Sequence, residues 1–428
     1  MRVLILTFGT RGDIQPYVAL GRALIHAGHE AAVCTAEGFR PLVEDAGVPY
    51  LHMGSDMLDL IQTAMPAMSG PRDALRLLPQ MTAAMRSSLI DQWEAAQTFG
   101  PDRLVYHPKI LGGLHIAERL QIPAAVSLPL PFFTPTTAFP IPFIARWPLG
   151  GAANKVSYQF NRFTGLAYGT MINTFRRRSL GLAGMSRWSD YLTLADGRPV
   201  PVLYCFSPTV VPVPADYPPH AHVTGYWFLP DQDAWRPSPE LVAFLHAGEP
   251  PLYIGFGSMG FGSHAADHGA SVVEAVQQLG VRAVVATGWG GITVDTTSEN
   301  VHVVRDVPHA WLLPRTAAVV HHGGAGTTAA GLRAGRPTLI CPVLGDQGFW
   351  AERIRTLGAG PRPLPSRRLT TTRLVEQLDQ LLTDDRYRQR AEALGTAIRT
   401  EDGLHRAIRA IDELSATHRR RGGSPSAP

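Results

Sequence analysis

Apolar positions in the first half of the chain alternate between short continuous runs and helical stripes. Residues 2–8 form an apolar run, and Gly9-Thr10-Arg11-Gly12-Asp13 follows as a loop. Ile14, Tyr17, Val18, Gly21, Leu24 and Ile25 then recur at helical spacing. Asp13 suits the N-cap of that helix, and Pro16 is tolerated in its first turn. Gly28-His29 ends the helix, and residues 30–35 read as a second strand. Apolar runs at 104–107 and 124–128 continue the alternation. Strands alternating with helices predict βα units and a parallel sheet.

Residues 130–200 break the pattern with an aromatic, proline-rich stretch and a helical segment around 152–180. This region reads either as an elaboration over the sheet edge, where an acceptor would sit, or as a packing insertion. Pro230 to Pro239 is the best linker. After it the pattern restarts, with strands expected at 252–256, 283–286, 301–304, 317–321 and 338–341. Helices are expected at 269–279, 326–334, 347–357 and 371–383, and a last helical pattern covers about 386–415. The expected organisation is a first domain over 1–229, a linker at 230–240 and a second domain over 241–385. Helices at 386–416 and a disordered tail at 417–428 complete it. Both halves are α/β, and such halves bind ligands at the carboxyl ends of their strands. Two of them face to face make a deep cleft.

Composition narrows the class. At 428 residues, 45% hydrophobic and 17% charged, the chain can build two sizeable cores. A net charge of +4 is small for this length and gives no reason to expect nucleic acid as a partner. Part of the excess lies in the tail, His418-Arg419-Arg420-Arg421, which is compatible with peripheral association at a membrane surface but not with stable insertion. Prolines at 123, 129, 131, 135, 140, 142 and 148 rule out a spanning helix in the most apolar region. Cys34, Cys205 and Cys341 are far apart and odd in number, which suits a reducing, cytoplasmic location.

The strongest chemical signal is His321-His322-Gly323-Gly324-Ala325-Gly326-Thr327-Thr328, after an apolar strand and at the start of a helix. Glycines admit a ligand close to the backbone, and a helix start offers unpaired N–H groups and a positive dipole end. Thr327, Thr328 and His322 add side-chain donors for a diphosphate. The pattern lacks the lysine of an ATPase loop and the spacing of the dinucleotide fingerprint. Gly255-Phe256-Gly257-Ser258-Met259-Gly260 is a second glycine cluster after a strand. Gly345-Asp346-Gln347 places an acid and an amide at a helix start, fit for sugar hydroxyls. As tight βα turns and an N-cap, all three would also be unremarkable.

In this order, with Val307-Pro308-His309-Ala310-Trp311-Leu312 ahead of them, these pieces resemble the donor half of family 1 glycosyltransferases. Phe8-Gly9-Thr10-Arg11-Gly12-Asp13-Ile14-Gln15-Pro16 resembles that family's acceptor-side opening. Within the family, Ser207-Pro208-Thr209-Val210, Val223-Thr224-Gly225-Tyr226-Trp227 and Leu332-Arg333-Ala334-Gly335 are similar to the sterol 3β-glucosyltransferase branch. Bacterial natural-product glycosyltransferases share many of these motifs. The resemblance implies a GT-B fold of two Rossmann-like domains and final helices that cross back onto the first half. It also implies a UDP- or dTDP-sugar co-substrate, with glucose the expected sugar, and inversion with neither metal nor cofactor. It places the nucleotide base at Val307, Pro308 and His309. The diphosphate falls at Ser258, His322, Gly324, Gly326 and Thr327, and the sugar at Asp346 and Gln347, with Gly257 and Ala325 as neighbouring donor-binding candidates. Thr10 and Arg11 are further donor-side candidates.

An inverting transfer needs one base for the acceptor hydroxyl. Many plant members carry a His aided by an Asp about a hundred residues later. Here Asp13 stands in the His slot and His107 near the partner slot, so Asp13 is the expected base and His107 its expected partner. Asp231-Gln232-Asp233 looks like a metal motif but lies in the linker with no strand before it, so no metal role is expected. Pro131, Phe132, Phe133, Phe139, Phe143 and Trp147 supply the apolar surface expected for a small hydrophobic acceptor. Competing readings are a nucleotide-sugar epimerase or hydrolase of the same fold, and a non-catalytic helper of a partner transferase.

Overall fold

The computed structural model describes residues 1–60, 71–142, 149–186, 188–194, 196–230, 235–257, 265–288, 291–296 and 298–419. Seven strands make the first sheet: β1 (Arg2–Leu6), β2 (Glu30–Ala36), β3 (Tyr50–Met53), β4 (Arg103–Tyr106), β5 (Ala124–Leu128), β6 (Val202–Tyr204) and β7 (Ala221–Val223). Their order is β3-β2-β1-β4-β5-β6-β7, with every neighbouring pair parallel. The second sheet holds β8 (Leu252–Gly255), β9 (Ala283–Ala286), β10 (Val301–Val304), β11 (Val319–His321) and β12 (Thr338–Ile340). It runs β10-β9-β8-β11-β12, again all parallel. Helices cover both faces of a parallel sheet, so central strands are continuous apolar runs. Val3, Leu4, Ile5 and Leu6 are accordingly all fully buried.

Both sheets reverse their winding at one place. In the first, β1 lies between β2 and β4; in the second, β8 lies between β9 and β11. The loops leaving β1 and β4, and those leaving β8 and β11, therefore open at topological switch points, where open α/β sheets bind ligands.

Strands β3, β6 and β7 were not expected from the pattern. They are three or four residues long. β3 and β7 lie at the two edges of the sheet and are only partly buried, so they lack the continuous apolar run that marks the equally short β4, β8, β11 and β12. The helical region around 152–180 is three pieces, Gly151–Ser157, a 3-10 segment Tyr158–Arg162 and Phe163–Arg178. The helix Pro239–His246 begins within the expected linker, capped by Ser238. Linker residues 231–234, including the Asp231-Gln232-Asp233 motif, lie outside the described residues.

The single pattern at 386–415 is two helices, Asp385–Arg399 and Gly403–Arg419. The second runs past 416, so residues 417–419 are helical and not part of a disordered tail; residues 420–428 lie outside the described residues. It packs on the helix Arg11–His26, while Asp385–Arg399 packs on Ala325–Arg333. One apolar core thus joins Leu4 and Val18 to Leu332, Trp350, Ile398 and Ile411. At the break between the two helices the Glu401 carboxylate accepts from Ser207 Oγ (2.5 Å) and Thr209 Oγ1 (2.9 Å). Arg353 of the second half donates from Nε and Nη2 to the Val210 carbonyl at 3.0 and 2.6 Å. Glu401→Ala removes both charge-assisted hydrogen bonds and is expected to cost about 1–3 kcal/mol, measured by urea denaturation.

Candidate active site

The first switch point is built around a carboxylate. Helix Arg11–His26 starts two residues before Asp13, with Thr10 at the cap position. Asp13 is therefore not the N-cap but the third helical residue, and its carboxylate folds back. Its Oδ2 accepts from Thr10 N–H (2.8 Å), Thr10 Oγ1 (3.2 Å) and Lys109 Nζ (2.8 Å). Its Oδ1 lies 3.3 Å from His107 Nε2. His107 Nδ1 accepts from the Lys109 backbone N–H at 3.1 Å, which puts the ring proton on Nε2, facing Asp13. Thr10, expected at the donor, donates to this carboxylate from both its N–H and its hydroxyl. Gly9 is required here: its φ is +139°, and a Cβ would sit 2.2 Å from Asp13 Oδ2.

Burial alone would push the Asp13 carboxyl up. The Lys109 ammonium and the His107 hydrogen bond outweigh it and hold the group far below the ordinary carboxylate range. His107 is buried, and burial lowers its pKa, so it is a neutral donor to Asp13. Lys109 is the residue that sequence reasoning missed. Its only clue was its place in the loop after β4, two residues beyond His107, with its partner 96 positions away.

The second switch point is made of backbone and imidazole. β11 ends at His321, whose Nδ1 accepts from Gly323 N–H at 3.0 Å. His322 is buried between two glycines. A Cβ on Gly257 would lie 2.8 Å from its Cε1, and one on Gly324 would lie 2.7 Å from its Nε2. Burial lowers the His322 pKa to about 4, so the ring is neutral near pH 7. Its Nδ1 has no partner among the described residues. Gly324 precedes the helix Ala325–Arg333, so Ala325, Gly326 and Thr327 form its first turn. Thr328, expected as a phosphate donor, is buried and gives its hydroxyl to the Gly324 carbonyl at 2.9 Å. Ser258 lies outside the described residues.

Asp346 and Gln347 open the helix Gln347–Leu357. Asp346 Oδ2 accepts from the Trp350 indole at 3.0 Å instead of capping the helix. Burial raises its pKa, and the negative charge of Asp13 across the cleft acts in the same direction. Gln347 is buried, and its Oε1 accepts from Val343 and Leu344 N–H at 2.7 and 3.1 Å. Those bonds fix the oxygen and leave the NH₂ end as a donor. In the expected base pocket Val307 is buried, Pro308 caps a short helix, and His309 Nε2 lies 3.0 Å from the Tyr253 hydroxyl. Arg11 crosses between the halves to pair with Asp306, just ahead of that pocket. The halves come close at the two switch points: a Cβ on Gly326 would lie 4.0 Å from Gly12 Cα.

The aromatic loop after β5 is held by polar anchors. The Tyr204 hydroxyl accepts from Phe133 and Thr134 N–H at 3.2 and 2.8 Å. Asp216 accepts from Thr136 Oγ1 at 2.6 Å and Thr137 N–H at 2.9 Å. Phe132 and Phe133 meet edge to face, and Phe139 lies 6.5 Å from Phe349 of the other half. Pro131, at the start of this loop, is buried. Phe143 and Trp147 lie outside the described residues.

Solved glycosyltransferases share this architecture. The glycosyltransferase of kitacinnamycin aligns with a TM-score of 0.71 at 18% identity, covering 96% of this chain and 98% of that one. The glycosyltransferase VinC, solved in complex with dTDP, aligns at 0.68 and 22% identity, covering 98% and 100%. The fold is therefore GT-B. Residues 3–139 match the glycosyltransferase family 28 N-terminal domain, and residues 271–402 match the erythromycin biosynthesis protein CIII-like C-terminal domain. Two sterol 3-beta-glucosyltransferases of Arabidopsis thaliana are each 36% identical over 96% of this chain. The chain spans 65% of the length of one and 68% of the other. It belongs to the glycosyltransferase family that contains them.

The Asp13 network makes stability depend on pH. A carboxyl held below its unfolded pKa of ~3.9 contributes stability above that pH and loses it as pH falls towards the folded pKa. Lys109→Met moves the folded pKa of Asp13 upward. Urea midpoints between pH 7 and 3 are expected to fall less steeply below about pH 4 in the variant than in the parent chain.

Proposed function

We propose that this chain transfers a sugar from a UDP- or dTDP-sugar to a hydroxyl of a hydrophobic acceptor, a sterol or a polycyclic natural product, with inversion. The observation that carries this reading is the pairing of unlike switch points: an ionised carboxylate in one half faces a glycine-rich helix start and a neutral imidazole in the other. The family membership supports sugar transfer. The sterol relatives favour glucose and a sterol-like acceptor, and the dTDP complex of VinC favours a nucleoside-diphosphate donor.

In this mechanism the acceptor oxygen bonds to the anomeric carbon as the bond from that carbon to the diphosphate breaks. The hydroxyl proton passes to Asp13. The first-turn N–H groups of Ala325–Arg333 and the His322 ring receive the charge developing on the diphosphate, so the chemistry asks for no metal. Asp346 and the Gln347 amide hold the sugar hydroxyls. A carboxylate gripped by Lys109 is a weak base. The acceptor hydroxyl takes the position of the ammonium on Oδ2, and burial then raises the carboxyl towards a useful basicity. His107 keeps Oδ1 oriented throughout, a role supported by the 3.3 Å approach of its Nε2. The reading places the enzyme in the cytoplasm, in keeping with three free, buried cysteines.

The direct test is a mass-spectrometric screen of UDP- and dTDP-sugars against sterols and polyphenols. A product heavier than the acceptor by one sugar is expected. Donor hydrolysis or epimerisation without any such product would overturn the assignment. Asp13→Asn is expected to cut turnover by about 10²–10⁴-fold while leaving donor affinity near normal. Unaltered turnover would remove Asp13 as the base. His322→Ala is expected to weaken UDP binding at least about tenfold by calorimetry, because it deletes a buried donor to the phosphate.

A further inference from the structure

Oδ2 of Asp13, the oxygen that receives the acceptor's proton in the proposed transfer, has no lone pair to spare. It accepts from Thr10 N–H, Thr10 Oγ1 and Lys109 Nζ, three donors on an oxygen with two lone pairs. A hydroxyl can hand its proton to this oxygen only after a donor has left. The Thr10 N–H cannot leave, because it belongs to the start of the helix, and the Thr10 hydroxyl hangs on the same residue. His107 beside Oδ1 is fixed as well. Its side chain is 6% exposed, its other ring nitrogen accepts from the Lys109 backbone N–H, and the Tyr17 ring meets it edge to face at 5.7 Å. The Lys109 ammonium sits on a flexible stem and its side chain is 51% exposed, so it is the donor that can move. A freed ammonium stays among anions, since its charge already reaches Asp346 on the facing half and a diphosphate adds more.

Water and an acceptor alcohol present the same O–H to Asp13 and differ in what else they bring. Water exchanges one hydrogen bond for an ion pair and adds no further contact. An acceptor adds its apolar body, and binding energy gained away from the reacting atoms can be used to move the ammonium. The surface for that body is close by. The aromatic loop follows β5, and β5 pairs with β4, whose own loop carries His107 and Lys109. Phe132, Phe133 and Phe139 are partly exposed in it. If water did reach Oδ2, the sugar would be lost by the same displacement. The water oxygen would bond to the anomeric carbon, the bond to the diphosphate would break, and a proton would pass to Asp13.

We infer that Lys109 is the residue that discriminates the acceptor from water: its ammonium covers the base in the free enzyme and yields only to an alcohol whose apolar body binds the aromatic loop. This role rests on the proposed sugar transfer and adds to it a guard against hydrolysis of the donor. Lys109 is a positioning residue in this scheme. It touches the base and never the reacting carbon.

The experiment measures release of free glucose from UDP-glucose and from dTDP-glucose with no acceptor present. Lys109→Met keeps an apolar stem and loses the charge, and Lys109→Gln loses the charge but stays polar. In both, release from at least one of the two sugar nucleotides is expected to rise at least about tenfold over the parent. Lys109→Arg keeps a cation and is expected to stay near the parent, and UDP affinity by calorimetry should be the same in all four chains. Adding Asp13→Asn to Lys109→Met should abolish the gain, because water then has no base. The acid limb of kcat/KM for transfer should lie at higher pH in Lys109→Met, since Asp13 then keeps its burial and loses the ammonium. The other titratable side chains acting on Asp13 are His107 and Tyr17, both neutral near pH 7, and Asp346 from the facing half. Hydrolysis at the parent's rate in both uncharged variants overturns the inference. So does a gain that survives Asp13→Asn, or an equal gain in Lys109→Arg. A parent that glycosylates no acceptor, with an Asp13-dependent gain in the uncharged variants, would instead refute sugar transfer and leave Lys109 as the cover of the base.

Discussion

A half-buried negative charge has to be compensated where it sits, and in this protein that requirement organises the first half. Four donors converge on the Asp13 carboxylate: the Thr10 amide and hydroxyl, the Lys109 ammonium and the His107 ring. Two come from the loop after β1 and two from the loop after β4. Those loops are neighbours only because β1 pairs with β4 across the switch point. Without that pairing, Asp13 would be an ordinary acid in a helix start. Gly9 completes the arrangement by leaving room for the folded-back carboxylate.

The second half uses the same topology for the opposite purpose. There the switch point displays N–H groups and a buried, neutral imidazole, which suit an anion that arrives with the ligand. The two carboxylates of the cleft are driven apart by their surroundings. Asp13 is held ionised by an ammonium, whereas Asp346 is raised by burial and steadied by one indole. Unlike environments for two acids in one cleft are what a division of roles requires. The shared core and the returning C-terminal helix keep the two surfaces opposed.

The elaboration between β5 and β6 extends this logic outward. Its polar inner face is consumed in shaping the aromatic loop, through Tyr204, Asp216, Asn154 and Asn161.

Local order was written plainly in the sequence. The alternation of apolar runs with helical stripes specified two parallel α/β halves, because the periods of strand and helix follow from backbone geometry alone. The glycine loops after β8 and β11 and the Asp346-Gln347 pair were equally legible, since each is a contiguous motif whose chemistry does not depend on distant residues. Lys109 and the Arg11–Asp306 bridge were not, since their partners lie 96 and 295 positions away. Neither were β3, β6 and β7, whose short runs acquire meaning only beside their neighbours. These pairs and strands depend on which elements the fold brings side by side. The sequence by itself therefore determined the class of fold and the groups able to meet a diphosphate. Only the tertiary structure decided which cation accompanies the carboxylate, because that outcome is set by the distance between two loops that the chain separates by about a hundred residues.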